Sequence, residues 1–326
     1  MKLFKQKGSE NLIVASVDGQ QCRTHYFSQQ TGTLTQESNA NFKYKNLDDL
    51  EDQVISRCKE NRGKNADLRW LLSHELYQTY HTDAPNVLEK EMAEAIKWQI
   101  KDQLELPIDD ILINYYRPNH PDPENTQVVA ICVEKKLIER LISIAEAAGL
   151  TLNSIEIEEL TLGHALINHL PENKIVGYIG ENKSGLVFSF YQNNQLVFSR
   201  FKKGRFMPKA QVEEFVLEAD ATNASHKTPQ EEAEEDAFLL ETQRTLDYVI
   251  SQLFRKPIDL ILLQQNSDNS ARLAETVNQL VETQVKLVSS NIKRKPISNG
   301  DTIDTTGEID SLPTLAEAGC ALRRDP

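Results

Sequence analysis

Catalysis and metal binding need a few side-chain types at fixed spacings, and this 326-residue sequence offers few of them. The seven histidines, His25, His74, His81, His120, His164, His169 and His226, are scattered. His164 and His169 stand five apart on an expected helix, not the three or four that would share a face, so they read as surface or packing residues. No HExxH, GxSxG, GxxxxGK[ST] or GxGxxG occurs, which removes the common zinc-peptidase, serine-hydrolase, P-loop and dinucleotide-binding chemistries. Cys22, Cys58, Cys132 and Cys320 form no CxxC pair. Each reads as a small buried apolar residue in a reducing compartment, and no metal site is expected. Arg244 and Asp247, three apart, read as an ion pair, and the acidic run Glu231 to Asp236 as a solvated helix start.

Composition narrows the classes further. Lys plus Arg is 36 and Asp plus Glu is 49, a net charge of −13, which argues against a general nucleic-acid binder. Hydrophobic residues make up 39% of the chain, enough for folded cores, and the length suggests two or three domains. The polar stretch Met1 to Glu10 has no apolar run of leader type, and no segment approaches the ~20 apolar residues of a membrane span. A soluble, cytoplasmic protein is expected.

The elements that must position any site alternate between strands and helices. Leu12 to Val17 is a strand ending at the hairpin dipeptide Asp18-Gly19, read as a type I′ turn. Thr24 to Phe27, Thr33 to Thr35 and Leu68 to Ser73 follow as strands, with a helix over Leu47 to Lys59. A long helix is expected from Val87 to Leu104, with a stripe of Leu88, Met92, Ile96, Ile100 and Leu104. Strands at 110–116 and 127–133 and a helix at 134–148 lead to Gly149, a helix-closing residue. After Pro171 the pattern restarts with strands at 174–179, 185–191 and 195–201, the last two joined by Asn193-Asn194. A helix to about Phe254, an apolar strand at 258–263, a helix at 268–282, a strand at 285–288 and a short helix at 314–322 complete it. This argues for α/β layers with mixed sheets, twice over.

Three stretches carry a family resemblance: LIERLISIAEAAGLTLNSIEIEELTLGHAL at 137–166, LLETQRTLDYVISQLFRKPIDLILL at 239–263 and EMAEAIKWQIKDQLELPIDDILINYY at 91–116. Together they resemble the actin-like PilM family of type IV pilus assembly proteins, and within it the members serving the mannose-sensitive haemagglutinin (MSHA) pilus. The resemblance implies an α/β, actin/FtsA-like fold: two RNase H-like halves with an inserted αββα-type subdomain in the first. On this sequence the first half would be 8–87 plus 151–170 and the insertion 88–150. The second half would be 172–326, with a smaller subdomain around 205–255.

The same resemblance supplies a test of the nucleotide cleft. An actin-like ATPase carries an acid on its first strand, but Leu12 to Val17 has none, and Asp18, Gly19 and Gln20 follow it as a turn. The second phosphate loop should read Asp-x-Gly; here Gly180 is kept, with Ser184 beyond it, but Tyr178 replaces the acid. A phenol cannot anchor magnesium as a carboxylate does. The adenosine loop should bring Gly-Gly, and reads Gln264-Gln265-Asn266-Ser267 instead. Asp18, Gly19, Gly180 and Ser184 would thus line a degenerate cleft, with no catalytic residue and no cofactor expected, ATP with magnesium being the fold's ordinary ligand.

What the resemblance implies is a cytoplasmic scaffold recruited to the inner face of the inner membrane. Its partner would be a bitopic inner-membrane protein of the PilN class, bound through its cytosolic N-terminal tail in a groove bordered by the insertion, and beyond it the assembly ATPase. Trp98, Tyr115 and Tyr116 are the candidate anchors, as aromatics with a polar end. Lys2, Phe4, Lys5 and Lys7 would lie near lipid headgroups. Two alternatives stay open: an actin-like ATPase or sugar-kinase-like phosphotransferase with an unusual cleft, and a type II secretion platform component.

Overall fold

The computed structural model describes residues 11–30, 33–60, 66–122, 124–182, 184–206, 229–265, 270–281, 283–289, 293–294 and 313–323. Lys2, Phe4, Lys5, Lys7, Asn266 and Ser267 lie outside them. The chain divides into two compact units, one of residues 1–118, 124–168 and 290–326, the other of 119–123 and 169–289.

The first unit opens with three antiparallel strands, β1 (Asn11–Val17), β2 (Gln21–Gln30) and β3 (Thr33–Lys43). Helix α1 (Leu47–Glu60) crosses over to β4 (Asp67–Leu72), which lies parallel to β1. The apolar runs of β1 and β4 suit strands buried on both faces. Trp70 of β4 is fully buried, and its indole N–H donates to the Leu141 carbonyl at 3.2 Å.

An inserted layer follows. It consists of β5 (Tyr77–Asp83), α2 (Glu89–Gln99), β6 (Ile111–Tyr116) and β7 (Gln127–Glu134), with sheet order β5-β7-β6. Met92, Ile96, Ile100, Ile111, Val128, Ala130 and Cys132 form its core. The expected boundaries, 88–150, need correction at both ends. The polar strand β5 pairs with β7, so the layer begins at Tyr77. Helix α3 (Lys135–Ala147) puts Leu137, Leu141 and Ile144 into the core of the first sheet instead. The expected Leu88 stripe is corrected as well: Leu88 precedes α2 and is 62% exposed, because a strict four-residue repeat drifts off the 3.6-residue turn. Beyond Gly149, at φ +70°, β8 (Thr151–Ile157) runs parallel to β4 and closes the order β3-β2-β1-β4-β8. Helix α4 (Glu158–Leu166) leaves its end.

The second unit repeats that plan. Strands β9 (Ile175–Glu181), β10 (Gly185–Gln192) and β11 (Gln195–Lys203) are antiparallel, and Asn193 and Asn194, at φ 52° and 62°, form the left-handed turn between the last two. Helix α5 (Pro229–Tyr248) continues as a wider π-helical turn over Val249–Phe254. Strand β12 (Leu260–Gln264), helix α6 (Ser270–Val281) and strand β13 (Val285–Val288) complete the order β11-β10-β9-β12-β13. Phe188, Phe190, Ile261 and Leu263 from the sheet pack with Phe238 and Leu246 of α5 in one core. The described part of α5 is therefore no separate subdomain, as had been expected around 205–255; residues 207–228 lie outside the description.

The chain then returns to the first unit, against the expectation that 172–326 forms the second half. Strand β14 (Lys293–Arg294) lies parallel to β3, and helix α7 (Leu315–Leu322) packs on α4, β1 and β4. A capping box of Thr314 and Glu317 starts α7. A Cβ on Gly319 would lie 1.9 Å from the Thr161 carbonyl oxygen, so only glycine lets α7 and α4 cross this closely.

Candidate functional site

The residues predicted for a nucleotide cleft are each engaged locally. Asp18 Oδ1 accepts from the amides of Gln20 (3.1 Å) and Gln21 (2.7 Å). Gly19 is at φ +87° and Asp18 is not left-handed, so the turn is an Asx-capped loop rather than type I′. In the second unit the Tyr178 hydroxyl donates to Gln264 Oε1 at 3.0 Å. A Cβ on Gly180 would lie 2.1 Å from that hydroxyl and 2.4 Å from that amide oxygen. The glycine thus makes room for a tyrosine–glutamine pair, the two residues standing where an acid and a glycine were sought. The Ser184 amide donates to Asn182 Oδ1 at 2.9 Å, in the β9–β10 turn.

Two ionic clusters went unpredicted, because each joins residues far apart in sequence. His74, after β4, has Nδ1 at 2.6 Å from Glu158 Oε2 and Nε2 at 3.2 Å from Glu159 Oε1, and the Tyr77 hydroxyl donates to Glu159. Burial alone would lower the His74 pKa, but Glu159 and Glu158 outweigh it and hold it at about 10. Burial would raise that of Glu159, and His74 and Tyr77 hold it below the carboxylate range. The second cluster ties α7 to the sheet. Glu317 receives Ser16 Oγ at 2.5 Å, with His25 Nε2 at 3.2 Å and an Arg23 nitrogen at 3.4 Å. Against its burial, His25 and Arg23 hold Glu317 far below its usual value. Arg69 donates to the carbonyls of Cys320 and Arg323, both at 2.8 Å, closing the end of α7.

The predicted partner anchors have separate surroundings and none of them lines the groove between β6 and β8. Trp98 projects from α2, 56% exposed, its indole donating to Glu94 at 3.0 Å. The Tyr115 hydroxyl donates to Glu89 on α2, and Tyr116 packs against the core beneath the first sheet. Arg244 pairs with Glu241 at 3.3 Å, beside Arg200 at 2.7 Å, rather than with Asp247. All four cysteines are buried, and burial pushes the Cys132 and Cys320 thiols up to about 12.

The described residues of the first unit do hold a groove, of about 780 Å³, between the inserted layer and the first sheet. Three consecutive residues of β6, Leu112, Ile113 and Asn114, line one side, and four of β8, Ser154 to Ile157, line the other. Consecutive residues point to alternate faces of a strand, so a groove touched by all of them runs along the strand's edge. β6 and β8 are both terminal in their sheets among the described residues, so each turns an open edge toward one channel. Leu72, Val133, Ile138 and Leu160 make its floor apolar, and His164, Glu156 and Arg323 supply polar groups. Burial, and the Arg69 guanidinium, lower the His164 pKa. The aromatic type drew attention to Trp98, whereas the groove is aliphatic and depends on which strands end their sheets.

Compared with known proteins, the chain matches no family model and no curated protein. It is similar in structure to the PilM–PilN type IV pilus biogenesis complex, with a TM-score of 0.64 at 14% identity, covering 96% of this chain and 98% of that one. It is also similar to a Bacteroides thetaiotaomicron protein with an actin-like ATPase fold and unknown function, with a TM-score of 0.50 at 10% identity, covering 88% and 94%. The cytoplasmic domain of EpsL, an inner-membrane component of the Vibrio cholerae type II secretion system, aligns at 0.48 and 6% identity over 96% and 94%. With the order 3-2-1-4-5 in both sheets, extended by β14 in the first, and an insertion in the first, the chain has an actin-like fold.

Proposed function

We propose that this protein is a non-catalytic scaffold of a type IV pilus assembly platform, and that it works by holding an extended segment of a partner in the groove between β6 and β8. The observation that carries this reading is the pair of open strand edges facing one apolar channel. An added strand gains main-chain hydrogen bonds at such an edge, and its alternate side chains gain pockets. The structural likeness to a protein of the PilM–PilN complex agrees with it. The partner is a bitopic inner-membrane protein of the PilN class bound through its cytosolic tail, which recruits the scaffold to the inner membrane and links it to the assembly ATPase. The finer assignment, to the MSHA-type pilus and an MshI-like protein, rests on the sequence resemblance. No helix among the described residues is long and apolar enough to cross a membrane, so attachment through a partner suits them. The Tyr178–Gln264 pair over Gly180 speaks against phosphate binding there.

The test is a pull-down from membrane extract with the bound proteins identified, using the wild type and Leu112→Asp. Leu112 is 40% exposed, so the variant should fold. A captured protein with one membrane span and a short cytosolic tail, lost in the variant, is the expected result. Equal capture by both would place the site elsewhere. Calorimetry with magnesium and ATP is expected to show no binding, and a saturable isotherm would refute that part.

A further inference from the structure

The groove contains one buried acid, and its counter-charge comes from the far end of the chain. Glu156 of β8 is 8% exposed and lines the channel. Ser154, two residues earlier, shares its face, and the serine hydroxyl is buried with no hydrogen-bond partner among the described residues. Glu156 is paired with the guanidinium of Arg323, which also lines the groove. The Arg323 backbone is fixed by the Arg69 bond to its carbonyl, whereas its side chain remains 31% exposed. A carboxylate this buried has to be paired, because an uncompensated charge in such a site is strongly destabilising. The cation here is long, partly in solvent and borne by the residue that follows α7.

We propose that Glu156 sets the specificity of the groove: it selects a partner strand with an arginine or lysine opposite it, flanked by aliphatic residues, and Arg323 is the resident cation that this side chain displaces. The inference rests on the groove being the docking site. A strand added to the open edge of β8 places one side chain directly across from Glu156, within ~4.5–5.5 Å between Cβ atoms. An acidic residue there meets a like charge, and a neutral one leaves the Glu156–Arg323 pair in place. A basic one takes over the carboxylate and frees Arg323 to solvent. The two positions beside it on the added strand point to the opposite face, where Ile155 and Ile157 line the channel and aliphatic side chains fit.

The experiment selects a phage-displayed library of random decapeptides on the wild-type protein and on Glu156→Gln, with Leu112→Asp as the groove control. Wild-type binders should share one basic position between aliphatic ones, and replacing that arginine by the isosteric, neutral citrulline should weaken binding to the wild type about tenfold. This measurement needs no variant to fold. On Glu156→Gln the basic preference should vanish while the aliphatic positions persist. Arg323→Ala should bind the basic peptides about tenfold more tightly, its competitor being gone. Binders blocked by Leu112→Asp that show no basic position, or that bind equally with citrulline, would overturn this inference and leave the groove standing. If Leu112→Asp blocks no binder at all, the groove reading falls and this inference with it. Unchanged affinity in Arg323→Ala would overturn the displacement.

Discussion

The first sheet and the second share a plan of three antiparallel strands followed by two parallel ones, to which β14 is added in the first, yet their polar clusters have opposite chemistry. Past the end of β4 in the first, His74 sits between two glutamates with Tyr77 donating to one of them. Between β9 and β12 in the second, a neutral phenol and a neutral amide are paired over Gly180. The terminal strand of the first sheet opens on a groove, and its flank is fastened by a helix from the end of the chain. The backbone plan recurs in both, and a handful of side chains makes an ionic lock in the one and a neutral hydrogen-bonded pair in the other.

The largest effects should come from the two cores, and they test whether the sheets are independent. Trp70→Ala should cost ~3–5 kcal/mol and Leu246→Ala ~2–5 kcal/mol, both side chains being at most 1% exposed. Hydrogen exchange of β4 and β12 peptides should show each loss confined to its own unit. Equal loss in both from either substitution would mean that the units open as one.

The ionic lock comes next. A histidine raised to about 10 contributes stability that is whole below about pH 6.5 and is lost as the pH climbs through about 10. Near pH 6, His74→Gln should lose ~1–3 kcal/mol by denaturant unfolding, and the gap should close by pH 10. A gap that persists at pH 10 would show that His74 acts by packing rather than charge.

The Tyr178–Gln264 pair should matter less. Tyr178→Phe removes one hydrogen bond and should cost about 1 kcal/mol. If the same change creates magnesium-dependent ATP binding, the tyrosine is a gate and the contrast between the sheets is smaller than drawn. Smallest of all, Trp98→Ala should move stability by no more than ~0.5 kcal/mol and leave peptide binding in the groove unchanged.

Much of the α/β order was legible, because buried parallel strands read as apolar runs and the helices show their period. Strand β5 was missed: in Tyr77-Gln-Thr-Tyr-His-Thr-Asp the residues alternate between covered and exposed, but the covered face is mostly polar. Helix α7 was visible, and its Thr314-x-x-Glu317 cap was readable. Its destination was not, because the partners of Glu317 lie some three hundred residues earlier at Ser16, Arg23 and His25. The nucleotide loops were judged by missing residue types, whereas the hydrogen bond that fills one of them needed coordinates. The groove was the least legible feature. Its residues are ordinary aliphatics, and a sequence does not say which strands end a sheet.

The return of α7 to the first sheet bears on how the protein is made. Translation delivers β1 and β2 early, with His25 and Arg23 awaiting a carboxylate that emerges only after Glu317 has been added. Chains fold domain by domain as they leave the ribosome, and distant pairings are slow to close. The second unit, complete at residue 289, can finish while the first still lacks its last helix. A nascent chain stalled before α7 would therefore expose the surface of β1 and β4 that α7 covers and call for a chaperone, although the second unit had already been synthesised.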